Sequence, residues 1–263
     1  MIFEKSSTRT RVSFEVGMKQ LGGHALFLNA NDIQLGRGET VYDTAQVLSR
    51  YVDGLMIRTF SHEMLEEFAY HASVPVINGL TDPHHPTQVL ADILTIYEYK
   101  GELQGLKLCY VGNGDNNMPH SLLQAAALTG MHMTVASPKG YEPCDVIFQQ
   151  ANNKGKQNGA KLEIHNDPKE AIQDADIVVT DVWASMGEES ELETRKATLE
   201  AFQVNKELTQ YAKKDYLFLH CLPAHRGEEV TTDIIDGGHS VVFDEAENRL
   251  HAQKALLKLL IEK

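Results

Sequence analysis

Cysteine is scarce: Cys109, Cys144 and Cys221 are the only three in 263 residues. They are too few and too scattered for a disulfide framework or a CxxC metal site, which points to a reducing, cytoplasmic compartment. The chain also lacks an apolar run of about 18 residues, and no basic segment leads into an apolar one at its start, so neither a membrane span nor a secretory signal is expected. Positive charge is in deficit, with 24 Lys and Arg against 37 Asp and Glu, a formal net charge of −13. That balance argues against nucleic acid and anionic membrane surfaces as partners. An anionic ligand must therefore be gripped locally, by backbone N–H groups and a few converging arginines. Internal repeats and low-complexity segments are absent.

What is present is alternation. Strand and helix patterns follow one another throughout, as parallel βαβ units do, so the fold class is α/β with two doubly wound parallel-sheet domains. The expected division is 1–99, 100–243, and a helix over 244–263 packing back on the first domain. Strands are predicted at Met1 to Glu4, Ala25 to Leu28, Gly54 to Arg58 and Val74 to Asn78 in the first half. The second half offers Lys107 to Val111, His132 to Ala136, Ile177 to Thr180, Leu217 to His220 and Val241 to Phe243. A helix from Pro86 to Lys100, with Val89, Ile93 and Ile96 in stripe spacing, bridges the halves. Residues 152–161, rich in Asn, Lys and Gly, read as a solvated loop or frayed helix end. The last helix opens on Asp244-Glu245-Ala246-Glu247 and lines one face with Ala252, Leu256 and Leu259. A first strand with nothing ahead of it leaves sheet uncovered, so a missing front end is expected, with Leu256 and Leu259 incompletely buried as a result.

In open parallel sheets a ligand lies beyond the carboxyl ends of the strands, and polar residues gather there repeatedly in this chain. Ser7-Thr8-Arg9-Thr10 follow the first strand and open a helix, where hydroxyls, unpaired N–H groups and a guanidinium make a socket for a phosphoryl group. An ordinary Ser/Thr cap with exposed arginines fits those residues equally well. Arg58 ends a strand, His84-His85-Pro86-Thr87-Gln88 follows another, and Gly112 to Asn117, Asp181 and Cys221 close three more. Taken singly, Arg58 also suits a solvated strand end, His85 a turn histidine, Asp181 a loop cap and Cys221 a buried small hydrophobe. Together the two sheets aim polar groups at what is expected to be one cleft between the domains. A dinucleotide site fits poorly, because the third glycine of GxGxxG falls on Asn117 and no acid ends the next strand, so an oxidoreductase is not expected.

Ser7-Thr8-Arg9-Thr10, His85-Pro86-Thr87-Gln88, Asp181-Val182-Trp183-Ala184-Ser185-Met186-Gly187 and His220-Cys221-Leu222-Pro223 together resemble the motif set of the aspartate and ornithine carbamoyltransferases. The last two point to the ornithine branch, and the resemblance runs from Met1 to Lys263 in family order. It implies a first domain for carbamoyl phosphate, a second for L-ornithine, and L-citrulline and phosphate as products. It implies arginine metabolism, a homotrimer or a multiple of it, and neither a metal nor an organic cofactor. By similarity Ser7, Thr8, Arg9, Thr10 and Arg58 hold the phosphate, and Arg58, His85 and Thr10 face the carbonyl oxygen. Gln88, the Leu222 carbonyl and the Arg249 backbone region would hold the carbamoyl amide, and Gln34 would reach a neighbouring subunit's site. Asn117, Asp181, Ser185 and Met186 match positions that hold ornithine, with Cys221 near its side-chain amine.

The chemistry is compatible with these residues. A neutral amine attacks the carbonyl carbon, oxygen charge develops, and phosphate leaves, so fixed positive donors suffice. Arg58, His85, Asp181 and Cys221 are the residues expected at the reacting atoms. Putrescine lacks a carboxylate and would have no use for Asn117 or the Ser-Met-Gly stretch, so it ranks behind ornithine as acceptor. Relatives carry several tens of residues ahead of the first strand, so the resemblance is read as one to an N-terminally truncated member. An inactive truncated subunit is the further alternative. The polar stretch Gly187-Glu188-Glu189-Ser190 is expected to close over the amine.

Overall fold

The computed structural model describes residues 1–35, 37–183 and 192–261. Ser185, Met186 and the expected loop over 187–190 lie outside the described residues. The chain divides into two units, Met1–Ala91 with Glu247–Lys263, and Asp92–Ala246.

The first unit runs β1 (Ile2–Phe3), α1 (Thr8–Gln20), β2 (Leu28–Asn29), α2 (Val41–Leu48), β3 (Leu55–Arg58), α3 (His62–His71) and β4 (Val76–Leu80), then enters α4 (Pro86–Lys100). Its sheet is parallel, in the order β2-β1-β3-β4. Period-two alternation sends successive side chains to opposite faces. Ile2, Leu55 and Ile57 pack with Ala45, Leu65 and Phe68 on one side, while Phe3 and Met56 pack with Phe14, Ile77 and Leu257 on the other. Helices α1, α2 and α3 each start on a hydroxyl that accepts a backbone N–H: Ser7 from Thr10, Thr40 from Asp43, and Ser61 from Met64. Such caps satisfy donors that the first turn leaves unpaired.

The second unit holds β5 (Lys107–Val111), α5 (Asn117–Thr129), β6 (His132–Ala136), α6 (Asp145–Asn158), β7 (Leu162–His165), α7 (Pro168–Ile172) and β8 (Ile177–Thr180). After these come α8 (Leu192–Leu199), α9 (Lys206–Thr209), β9 (Leu217–His220), α10 (Thr232–Ile235) and the start of α11 (Val242–Ile261). The parallel order is β7-β6-β5-β8-β9, so the winding direction reverses between β5 and β8. Strands β5, β8 and β9 read as nearly unbroken apolar runs because helices cover both faces. Gly130 and Gly159 end α5 and α6 in left-handed conformations, with φ of 75° and 80°.

Four local expectations change. The expected strand at Ala25 to Leu28 shrinks and shifts to Leu28–Asn29, the only part that pairs with β1. Of the two readings of residues 152–161 the loop falls and the helix end holds: most belong to the last turns of α6, where Gly155 lets the helix approach Ala160 and Ala127, and the next strand, β7, had no predicted counterpart. Val241 to Phe243 do not form a strand. Val241 N–H still bonds the Phe218 carbonyl, but the acidic run that follows favours a helix start at Val242, and Phe243 is left exposed. In α11 the inward stripe is Gln253 and Leu257, with Leu256 half-buried, whereas Leu259 is 80% exposed.

Candidate active site

In the first unit the winding reverses between β1 and β3, the position where open α/β sheets hold ligands. Chain leaving β1 supplies Ser7 to Thr10, and chain leaving β3 supplies Arg58, whose carbonyl accepts the Glu4 N–H at 2.8 Å. Ser7 caps α1 through Oγ, which accepts the Thr10 N–H at 3.2 Å, so the helix starts at the motif itself. Thr8 is exposed, Ser7 and Arg9 are half-buried, and Thr10 is buried.

Arg249, on α11 and 2% exposed, brings this motif and the His85 motif together. Its Nη2 donates to Thr10 Oγ1 at 3.1 Å and its Nη1 to Gln88 Oε1 at 2.6 Å. With its amide oxygen turned toward Arg249, Gln253 accepts from Nε at 3.1 Å and Nη2 at 2.9 Å and donates to Ser13 Oγ at 2.6 Å. His85 is buried near Thr87, whose Oγ1 lies 3.4 Å from Nδ1. Burial, then the positive charges of Arg249, Arg58 and Arg9, hold its imidazole well below the usual histidine range. A buried imidazole that feels the charge of three guanidinium groups marks a positive locus, suited to an anion and to a carbonyl oxygen gaining charge.

Lys5 escaped the sequence reading. It is buried, with Nζ 2.5 Å from Asp82 Oδ1 and 4.2 Å from the centre of the Phe60 ring. It thereby ties the loop after β1 to the loop after β4, and its only sequence signal is its place one residue before the hydroxyl run. Gln34 is exposed in the loop between β2 and α2 and is not part of the buried group around His85.

The second unit repeats the arrangement at its own reversal, between β5 and β8. After β5, Gly112 adopts a φ of 135°, and a Cβ on Gly114 would come within 2.7 Å of the Tyr141 carbonyl and 2.9 Å of Ser137 Oγ. Both positions need glycine for the loop to close. Asn117 begins α5 and is half-buried. After β8, Asp181 is buried, and its Oδ1 accepts from Val182 N–H at 2.8 Å and Cys221 Sγ at 3.1 Å. Burial, then the Asp181 carboxylate, push the Cys221 thiol well above the usual cysteine range, so it sits there as a hydrogen-bond donor and not as a thiolate nucleophile.

Cys221 leads into Leu222, whose φ is 54° and whose bond to Pro223 is cis. The Leu222 N–H donates to His220 Nδ1 at 2.9 Å. Asp181, His220 and Cys221 offer ligand atoms within 4.8 Å of one another, a set able to hold a cation. Both His220 ring nitrogens are already engaged, however, so a metal would have to break one of those bonds.

Comparison with known proteins agrees with this geometry. The family model described as the aspartate/ornithine carbamoyltransferase carbamoyl-P binding domain matches residues 1–98, and the Asp/Orn binding domain model matches 104–260. An ornithine carbamoyltransferase of Anoxybacillus flavithermus is 64% identical over 99% of this chain and 83% of that protein. One from Carboxydothermus hydrogenoformans is 62% identical over 99% and 84%. The solved ornithine carbamoyltransferase from Pyrococcus furiosus superimposes with a TM-score of 0.96 at 57% identity, covering 99% of this chain and 83% of that one. The expectation of a first domain lacking its front end does not stand, since the carbamoyl-P binding domain model matches from residue 1 through 98. With both domain models matched in order, the chain belongs to the aspartate/ornithine carbamoyltransferase family.

Proposed function

We propose that the chain transfers the carbamoyl group of carbamoyl phosphate to the side-chain amine of L-ornithine, releasing L-citrulline and phosphate. The observation that carries this reading is the buried Arg249, which bonds Thr10 at the capped start of α1 and Gln88 in the His85 motif, while burial and then the charges of Arg249, Arg58 and Arg9 hold His85 below its usual range. In this reading Ser7, Thr8, Arg9 and Thr10 bind the phosphate through hydroxyls, the α1 N–H groups and one guanidinium. Arg58, His85 and Thr10 face the carbonyl oxygen. A neutral His85 can donate an N–H to that oxygen without surrendering its proton, and one such donor is worth about 3 kcal/mol in the transition state. Arg249 works through its guanidinium and not only its backbone: it fixes the Gln88 amide oxygen, which then accepts from the carbamoyl NH₂ together with the Leu222 carbonyl.

Ornithine is assigned to the second unit. Asp181 and Asn117, with Ser185 and Met186, take its α-ammonium and α-carboxylate, and the Cys221 thiol lies beside the path of its amine. That amine must react in its neutral form, and the departing phosphate oxygens are the natural proton acceptor. Fixed donors are all the chemistry calls for. The same reading includes a carbamoyl phosphate domain over 1–99, an ornithine domain over 100–243, a homotrimer in which Gln34 serves a neighbouring site, and a cytoplasmic location. Among the described residues no helix is long and apolar enough to cross a membrane.

The test is citrulline formation by the purified protein from carbamoyl phosphate and ornithine, with putrescine and aspartate as rival acceptors at equal concentration. Ornithine should lead by a wide margin in kcat/KM. Faster carbamoylation of putrescine would refute the assignment of Asp181 and Asn117.

A further inference from the structure

Glu229 is fully buried and plays no part in the reaction as described above. Its Oε1 accepts from the His225 backbone N–H at 2.6 Å and faces His220 Nε2 at 3.2 Å. Its Oε2 has no hydrogen-bond partner among the described residues. A buried carboxylate so thinly satisfied costs stability, and a role in packing alone would be met better by an apolar side chain.

The path from Glu229 leads to the Cys221-Leu222 turn. His220 Nδ1 accepts the Leu222 N–H, so the ring proton of the neutral imidazole sits on Nε2 and points at Glu229. The other end of His220 is fixed as well, its backbone N–H donating to Glu245 Oε2 at 2.8 Å. Glu229 itself is set in a rigid frame: its carbonyl accepts the Val204 N–H at 2.9 Å, and Val230 bridges Val204. Leu222, at a φ of 54°, holds a left-handed backbone that a branched side chain rarely adopts, and the hydrogen bond from its N–H is what braces it.

We propose that Glu229, acting through His220, is a positioning residue for the turn that presents the Leu222 carbonyl to the carbamoyl amide and the Cys221 thiol to Asp181. The proposal rests on the assignment of Leu222 made under the proposed function. Glu229 selects the imidazole tautomer, the imidazole fixes the Leu222 peptide plane, and the turn keeps its direction before any substrate arrives. A buried carboxylate orienting a histidine that orients a reacting group is a general device for pre-organisation.

The experiment compares wild type, Glu229→Gln, Glu229→Ala, His220→Asn and the double variant Glu229→Ala/His220→Asn. Gln keeps an acceptor oxygen for His220. Asn at 220 keeps an acceptor near the Nδ1 position but cannot reach Glu229. Glu229→Ala and His220→Asn should each lower kcat by about 100-fold, as a misplaced reacting group does, and should weaken carbamoyl phosphate binding measured without ornithine. Glu229→Gln should recover most of the turnover, and the double variant should be no worse than either single one. Nitrogen-15 NMR of the wild type should show His220 protonated at Nε2 alone, a tautomer that Glu229→Ala loses. The proposal is overturned if the single variants turn over like wild type, if their losses multiply, if Gln is as poor as Ala, or if His220 carries its proton on Nδ1. Should Glu229→Ala fail to fold, Glu229→Gln, His220→Asn and the wild-type spectrum still decide. An inactive wild type would instead overturn the assignment of function, and the His220 spectrum separates that failure from failure of the Glu229 link.

Discussion

Replacing Arg249 by methionine removes the buried cation that joins Thr10, Gln88 and Gln253 while nearly preserving volume. Thr10 and Gln88 are each 1% exposed, so both lose a charged partner without gaining water. Leaving one buried polar group unsatisfied costs about 1–3 kcal/mol, and breaking a buried charged network about 3–5 kcal/mol. Against a total stability of about 5–15 kcal/mol the variant should still fold, with a lower urea midpoint. Function should suffer beyond this, because Gln88 Oε1 and Thr10 Oγ1 lose the group that aims them, and misorientation of that kind lowers kcat/KM by about 100-fold. A second readout is independent of folding. Arg249 is the largest charge holding the His85 imidazole down, so its loss lets that group rise toward the ordinary histidine value of 6.5. The His85 N–H serves catalysis from the neutral ring, so the acid limb of the kcat/KM profile should move to higher pH in Arg249→Met. In the wild type the unfolded state takes up a proton near 6.5 that the folded state refuses, so stability contributed by neutral His85 is complete above 6.5 and falls as pH drops below it. In the variant that acid-side slope should shrink. An unmoved acid limb together with kcat/KM within about tenfold of wild type would refute the role given to Arg249.

Further outcomes follow from single contacts. Cys221→Ala should retain turnover with a raised KM for ornithine, and iodoacetamide at pH 8 should label exposed Cys144 well before Cys221, whose thiol is held protonated by burial and Asp181; rapid labelling of Cys221 would contradict that. Lys5→Met removes the ion pair to Asp82 and should raise the KM for carbamoyl phosphate several-fold while leaving ornithine binding in the second unit untouched, as titration of each substrate would show. Leu257→Ala should lower unfolding free energy by about 2–5 kcal/mol, whereas Leu259→Ala should change it by less than about 0.5 kcal/mol. Equal effects in a urea titration would mean that the inward stripe of α11 is misplaced.

How much of this was legible in the sequence follows from where each residue finds its partner. Strands β5, β6, β8 and β9 and helix α4 were expected at the bounds they have, because each is a long enough apolar or stripe-spaced run bordered by turn residues. Strand β2 was misplaced, since two edge residues leave no period to read, and Val241 to Phe243 looked β-branched although the acids behind them start a helix. The site divides along the same line. Ser7 to Thr10, Arg58, Asp181 and Cys221 stand at strand ends, where local order and the parallel-sheet rule suffice to find them. Arg249 and Gln88 are 161 positions apart, and nothing at either place announces the bond. Lys5 and Glu229 are legible only as charges in polar stretches until the fold buries them, and His220, read as a strand end and a motif residue, shows no task for its ring until then. Burial is what changes their meaning: an exposed lysine, histidine or glutamate needs no partner, whereas a buried one must be answered by a specific group at a specific distance. The residues that escaped the sequence reading are therefore the ones that hold the motif residues in place, and that is why positioning, more than identity of the reacting groups, is the part of this site that only the three-dimensional arrangement reveals.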